Sequence, residues 1–451
     1  MGERRFIEYD RRQDMLLPPS LEEWLPDKHL ARFISDVVDA LDLREWEWAY
    51  ATETGSGAPP FHPVMMLKVL VYGYATGTFS SRKLAAKCVE DVAFRYLTAQ
   101  ATPDFRSLLK FRKRHLQRFE RLFVQVVQLA QESGLVKLGR IAIDGSKIKA
   151  NASKHKAMSY ERMCEEEKKL EEQIRQLLEQ AQATDEEEER RYGSEDGYSL
   201  PDALAHREQR LKTIKAARGR LEERARQRSE SEVKRREEEA RERAEKGGNP
   251  KRYKKEPDPT PKPKEQENFT DPDSRIMRDG ATKGFVQAFN TQIAVDDARQ
   301  IIVATDLDNQ ACDQGHLLPV LDAVKENTGA YPGEGLADAG YKSEETLKAL
   351  EQYPTEAYVA CGREAYDPRI PCPTEPLPSD ATATQRMQRK LLTPNGRKIY
   401  RKRKSIVEPV FGWIKNVLGF RQLSLRGQAN ARGEWHLVCL ALNLRRMAAM
   451  G

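Results

Sequence analysis

The chain has 451 residues, enough for two or three domains with cores of their own. Lys and Arg total 76 against 70 Asp and Glu, a formal net charge of +6; 39% hydrophobic beside 32% charged residues reads as a globular part plus a strongly solvated insertion. No apolar run reaches membrane-spanning length, no signal-peptide core opens the chain, and Phe6 replaces the Ser or Thr of a myristoylation motif; none of the six cysteines forms a C-x-x-C pair, so membrane, secreted, lipid-anchored and zinc or disulfide classes are set aside for a cytosolic protein.

Up to about residue 135, helical patterns alternate with short breakers. HPVMMLKVLVYGYATG reads as an apolar helix closed by glycine, and SSRKLAAKCVEDVAFRYL as a helix with a serine cap. TPDFRSLLKFRKRHLQRFERLFVQVVQLAQESG predicts one long helix whose first half shows Arg106, Lys110, Arg112, Lys113, Arg114 and Arg118. Three helices, the last basic, suit a helix-turn-helix-like DNA-binding module, with Arg112 and Arg114 as contacts. An all-α core with solvated arginines is the other reading.

The period then changes. LGRIAIDGSKIKANAS holds a short β-type run, 141–143, ending at Asp144. Apolar residues from Met163 to Ala181 and from Leu204 to Ala225 follow heptad spacing on either side of TDEEEERRYGSEDGYSLP, which predicts an antiparallel helical hairpin. The segment GGNPKRYKKEPDPTPKPKEQENF reads as a basic, proline-rich, disordered linker. Strand patterns resume in FVQAFNTQIAVD and QIIVATDL, followed by a helix at GHLLPVLDAVKEN, a strand in EGLADAG ending at Asp338, a helix at SEETLKALEQ and a strand at EAYVAC. One α/β domain split by a helical insertion is the fold these patterns describe.

Near the C-terminus, SIVEPVFGWIKNVLGF predicts one amphipathic helix. Beside its apolar stripe, Glu408, Gly412, Lys415 and Gly419 share a second face, and Pro409 removes a helical donor next to Glu408. The preceding RKIYRKRK is basic at six of eight positions, which suits phosphate binding.

Three carboxylates from separate elements, Asp144, Asp338 and Glu408, form the oxygen set that a hard divalent cation takes. Asp313 in DQGHLL reads as a helix N-cap or, with His316, as a supporting residue beside that set.

In order and spacing, IAIDGSKIKANAS, GLADAGYKSEE and KSIVEPVFGWIK resemble the three acidic motifs of bacterial insertion-sequence transposases of the DDE type. HPVMMLKVLVYGYATGTFSSRKLA and PDFRSLLKFRKRH resemble that family's N-terminal module, and DPDSRIMRDG, GFVQAFNTQIAVD and NQACDQGHLLPVL its intervening core segments. The resemblance implies an α/β ribonuclease H-like mixed sheet with flanking helices, interrupted by the helical hairpin and preceded by an all-α domain. Its boundaries would be 1–135 for the DNA-binding helices, 136–155 for the first catalytic part, 156–270 for hairpin and linker, and 271–451 for the rest. Asp144, Asp338 and Glu408 would be the catalytic, metal-binding triad for Mg²⁺ or Mn²⁺, as two ions. Lys415 matches the lysine of a related signature of Tyr, Arg, Glu and Lys. Tyr400 and Arg403 keep the mutual spacing of its first two members but stand one residue too far from Glu408, and Lys404 occupies the arginine's place.

The resemblance further implies metal-dependent cleavage at transposon ends and transfer of the freed 3′-hydroxyl into target DNA, by a homodimer on double-stranded DNA in the bacterial cytoplasm, at the nucleoid. Two rivals are a structure-selective nuclease of the same fold and a non-catalytic DNA-binding regulator descended from a transposase.

Overall fold

A computed structural model describes residues 20–51, 59–192, 202–245, 249, 253, 255–280, 283–362, 367, 369–372 and 374–450. They divide into two compact units. One is Met1–Lys137 with Gly412–Gly419 and His436–Gly451; the other is Leu138–Phe411 with Phe420–Trp435.

The first unit is helical: α1 (Leu21–Trp24), α2 (Leu30–Ala40), α3 (Arg44–Ala51), α4 (Pro63–Ala75), α5 (Ser81–Glu90), α6 (Val92–Leu97), α7 (Phe105–His115) and α8 (Arg118–Glu132). Helix α4 is apolar nearly all round because it is buried nearly all round, and Pro63 starts it where a missing N–H costs nothing. Two expected helices are each broken in two. Asp91 ends α5 and restarts the chain, its carboxylate accepting from Ala93 N at 2.9 Å. The long basic helix breaks at Leu116 and Gln117, a break that no Gly or Pro marks in the sequence.

The second unit is built on a mixed sheet. Its strands are β1 (Arg140–Lys149), β4 (Arg275–Arg278), β5 (Phe285–Asp296), β6 (Ile302–Asp308), β7 (Glu334–Ala337) and β8 (Glu356–Val359); β2 (Ala157–Ser159) and β3 (Gln266–Asn268) form a separate pair. The order is β4-β5-β1-β7-β8, with β6 also on β5. β1 runs antiparallel to β5 and parallel to β7, and β7 parallel to β8. Here one expectation is corrected. β1 does not end at Asp144, because the long β5 pairs with it as far as Lys149. What ends there is the ladder to β7, whose last pair is Ile143 with Ala337.

Between β2 and β3 run two long helices, α9 (Tyr160–Tyr192) and α10 (Asp202–Glu245). Tyr160 bonds Glu222, Arg210 pairs with Glu166 and Arg207 bonds Gln173, so the helices run in opposite directions. Met163 and Leu170 pack on Ile214, Ala217 and Leu221. The proline-rich segment departs from the expected disorder across its described residues. β3 pairs with β2, Ser229 donates to Pro257 O at 3.2 Å, Arg236 to Lys255 O at 2.8 Å, and Glu267 is fully buried between Arg220 and Arg224. Prolines stiffen such a segment, and donors on the neighbouring helix satisfy its carbonyls.

The remaining helices are α11 (Leu317–Thr328), α12 (Glu344–Leu350), α13 (Ala383–Leu392), α14 (Pro394–Tyr400), α15 (Lys402–Gly412) and α16 (Gln428–Ala448). The single helix predicted over 405–420 is α15 followed by a π-helical turn, Trp413–Val417, in which Leu418 N reaches Trp413 O at 2.8 Å. Among the described residues, no helix is long and apolar enough to cross a membrane.

Candidate active site

Asp144 and Asp338 each follow the last paired residues of β1 and β7, so two carboxylates leave neighbouring parallel strands side by side. Asp144 Oδ1 accepts the Gly145 N–H at 2.9 Å, and its Oδ2 lies 3.2 Å from Arg403 Nη1. Burial pushes the Asp144 carboxyl up to about 6; Arg403 opposes the shift and the charge of Asp338 adds to it. Asp338 also starts the short turn Ala339–Tyr341 by accepting from Gly340 N at 2.8 Å.

Arg403 reaches this point from α15 and is only 8% exposed. Its own burial works against the charged form, but Asp144, Tyr400 and Asp338 outweigh that and raise its pKa. Both Nε and Nη1 are buried without a hydrogen bond, so the contact with Asp144 is one of charge rather than of aligned donors. A guanidinium is therefore the counter-charge to the acidic pair.

Asp313 stands on the other side. Its Oδ1 takes Lys147 Nζ at 3.1 Å, Asn290 Nδ2 at 2.8 Å and Gln292 Nε2 at 2.9 Å. Gln292 in turn accepts from the buried hydroxyl of Tyr341. The expected helix-cap role for Asp313 does not hold, since His316 is the N-cap of α11 and the Asp313 carboxylate is bonded to Asn290 and Gln292 of the sheet. Two glycines make room for it. A Cβ on Gly145 would lie 2.6 Å from Asp313 Oδ1 and 2.7 Å from Gln292 Nε2. A Cβ on Gly340 would lie 2.9 Å from Asp338 Oδ1 and 3.2 Å from Asp313 Oδ2, so these two carboxylates flank one point. Nearby, His316 lies 3.2 Å from Asp308 and 3.9 Å from Asp306, which Arg432 also meets at 3.2 Å.

The other expected residues are placed as follows. Glu408 lies exposed on α15 and, among the described residues, makes no hydrogen bond or ion pair. Pro409 sits inside α15, and the carbonyl it deprives of a helical donor, that of Ser405, accepts the Gln300 side-chain amide at 2.8 Å. Lys415 is half-buried in the π-helical turn. Tyr400 is buried and Lys404 exposed. No protein atom lies within 4 Å of a Cβ built on Gly412, whereas Gly419 adopts φ +75°. In the helical unit, Arg112 is not on a DNA-facing surface but buried, donating to Tyr74 Oη at 2.9 Å and Phe79 O at 3.0 Å. Arg114 lies over the Tyr50 ring at 4.7 Å.

Among the described residues, no three His, Cys, Asp or Glu side chains are grouped as a complete metal cage. Asp144 and Asp338 nonetheless suit Mg²⁺ or Mn²⁺. Their oxygens are hard donors from rigid strands, and Mg²⁺ is commonly held through one or two carboxylates with waters. Lys147, Asn290, Gln292 and Tyr341 escape sequence reasoning. Their one signal is the polar run Asn290, Thr291 and Gln292 in the middle of AFNTQIAV, in which Asn290 and Gln292 share one face of the strand.

A transposase domain (DUF772) matches residues 19–114, and a transposase DDE domain matches residues 374–448. No curated protein and no solved structure matches the chain.

Proposed function

The two domain matches support an insertion-sequence transposase of the DDE type, and from that premise we propose that the chain cuts transposon ends and joins them to target DNA. The observation that carries this reading is the juxtaposition of Asp144 and Asp338 at the end of the β1–β7 ladder, with Arg403 and Asp313 on either side.

In this reading 136–155 and 271–451 form a ribonuclease H-like catalytic domain, with 156–270 as a helical-hairpin insertion and 1–135 as the helical DNA-binding domain. Asp144 and Asp338 would hold Mg²⁺ or Mn²⁺, and Glu408 would complete the set when DNA is engaged. A bound pair of ions would activate the attacking hydroxyl and stabilise the leaving oxygen. Water first opens the phosphodiester at the transposon end and frees a 3′-hydroxyl. That hydroxyl then attacks a target phosphodiester, displacing the target's own 3′-oxygen.

The chain's residues prepare these steps. Asp144 must lose its proton before it can hold a cation, and Arg403 favours that ionised form. Asp313 fixes Lys147 and Gln292, and Gln292 fixes Tyr341, which sets the floor of the site. Lys415, Lys404 and Arg114 are proposed DNA contacts; Arg112, Arg403 and Tyr400 are not, because their side chains are buried inside the fold, that of Arg403 against Asp144. A homodimer pairing two ends in the cytoplasm, at the nucleoid, completes the proposal.

Incubating the protein with Mg²⁺, end-bearing DNA and a target plasmid tests it. Joined products are expected. Cleavage without joining would replace the proposal with a nuclease, and binding without cleavage with a regulator. Asp144→Asn, Asp338→Asn and Glu408→Gln should each abolish cleavage while leaving end binding in place.

A further inference from the structure

A groove of about 850 Å³ lies in the second unit between α10, the proline-rich segment before β3, and the turn after β6. Six basic side chains line it: Arg224, Arg228 and Arg235 from α10, Lys262 and Lys264 from the proline-rich segment, and Arg275 from β4. Only two carboxylates, Glu232 and Glu265, face them.

Part of that charge is spent within the protein. Arg224 pairs with Glu267 at 2.6 Å, Arg228 with Glu265 at 2.7 Å and Arg235 with Glu232 at 2.9 Å. Arg275 donates to the carbonyls of Pro272 and Ser274. Lys262 and Lys264 differ: both are exposed, and neither ammonium has a hydrogen bond or ion pair among the described residues. Fold stability does not explain two free cations on a segment that is otherwise tied down residue by residue. Alternation with Pro261 and Pro263 restricts the backbone that carries them, so little backbone freedom is lost when an anion is met.

The far wall of the groove is Asn309 and Gln310, which open the loop carrying Asp313. One short loop therefore joins the groove lining to Asp313, which flanks Asp338. We infer that this groove binds the phosphodiester backbone of duplex DNA flanking the cleavage point. The inference rests on the transposase reading for the identity of the polyanion. It gives the proline-rich segment a role as a wall of a DNA track rather than a spacer.

The test uses the full-length protein with a labelled end-bearing duplex and a scrambled duplex, titrated between about 50 and 200 mM salt. The double variant Lys262→Glu, Lys264→Glu should bind both duplexes at least about tenfold more weakly and lower the salt slope by about 2, one per lost phosphate contact. The charge-neutralising pair Lys262→Gln, Lys264→Gln should give a smaller loss in the same direction. Neither lysine supports the fold, so melting curves should match that of the unaltered chain. Unchanged affinity and slope in the charge-reversed variant would overturn the inference, as would groove-dependent binding that prefers single-stranded RNA to duplex DNA. The two readings fail separately: groove-dependent duplex binding without any end cleavage would leave the groove in place and remove the transposase assignment.

Discussion

Gln300 donates its side-chain amide to the carbonyl of Ser405 at 2.8 Å, the carbonyl that Pro409 leaves without a helical donor. Gln300 occupies the β5–β6 turn with φ +57°, so the turn holds the helix that delivers both Arg403 and Glu408. A proline beside a candidate catalytic glutamate is thus tolerated because another element supplies the missing donor.

Gln300→Ala should cost about 1 kcal/mol of stability, read from denaturant unfolding. Pro409→Ala restores an N–H to the same carbonyl, so the cost of Gln300→Ala should shrink in that background. Strict additivity in the double-mutant cycle would refute the linkage.

On the proposed function, metal binding should depend on pH through Asp144. Its carboxyl is held up at about 6, so protons compete with a cation as pH falls through that value. Mn²⁺ affinity, followed by calorimetry, should drop below about pH 6 and stay level above it. The sign for stability is the reverse of the usual acidic case. A raised carboxyl pKa favours the protonated form in the folded state, so this group's contribution falls as pH rises from the unfolded value near 4 through about 6. Asp144→Asn should remove both dependences.

Gly145→Ala should destabilise the site by about 1–3 kcal/mol, because the new methyl would meet Asp313 and Gln292 side chains at 2.6 and 2.7 Å. Asp313→Ala relieves that crowding but leaves the Lys147 ammonium, with a side chain 17% exposed, without its carboxylate. Each single change should lower end cleavage. The pair should lose less stability than the sum, a result that independent sites would not give.

His316 supplies a second pH signature, opposite in direction. Its contact with Asp308, 3.2 Å away, is the largest cause raising its pKa, against burial, with Asp306 and Asp313 adding charge. A raised imidazole pKa gives stability that is complete below about 6.5 and is lost as pH rises through the folded value. The melting temperature should therefore decline above about pH 6.5 in a way that His316→Gln abolishes. An identical decline in that variant would place the titration elsewhere.

Local pattern alone carried the element types far. Period-two alternation identified β5, apolar runs identified β6 to β8, and heptad spacing identified α9 and α10. The same pattern singled out Asp144 and Asp338, because a carboxylate closing a short apolar run is visible in one dimension. Their adjacency was not visible: it depends on the β1–β7 register, which joins residues nearly two hundred positions apart. Nor could composition tell a proline-rich linker from a wall pinned to α10, since its carbonyls find their donors on another element. Arg112 and Arg403 look like the neighbouring surface cations in sequence, yet both are buried, because a guanidinium can be taken inward wherever tertiary contacts supply acceptors or a carboxylate. Periodicity reports which face a residue occupies. Which partner waits on that face is decided by the tertiary fold.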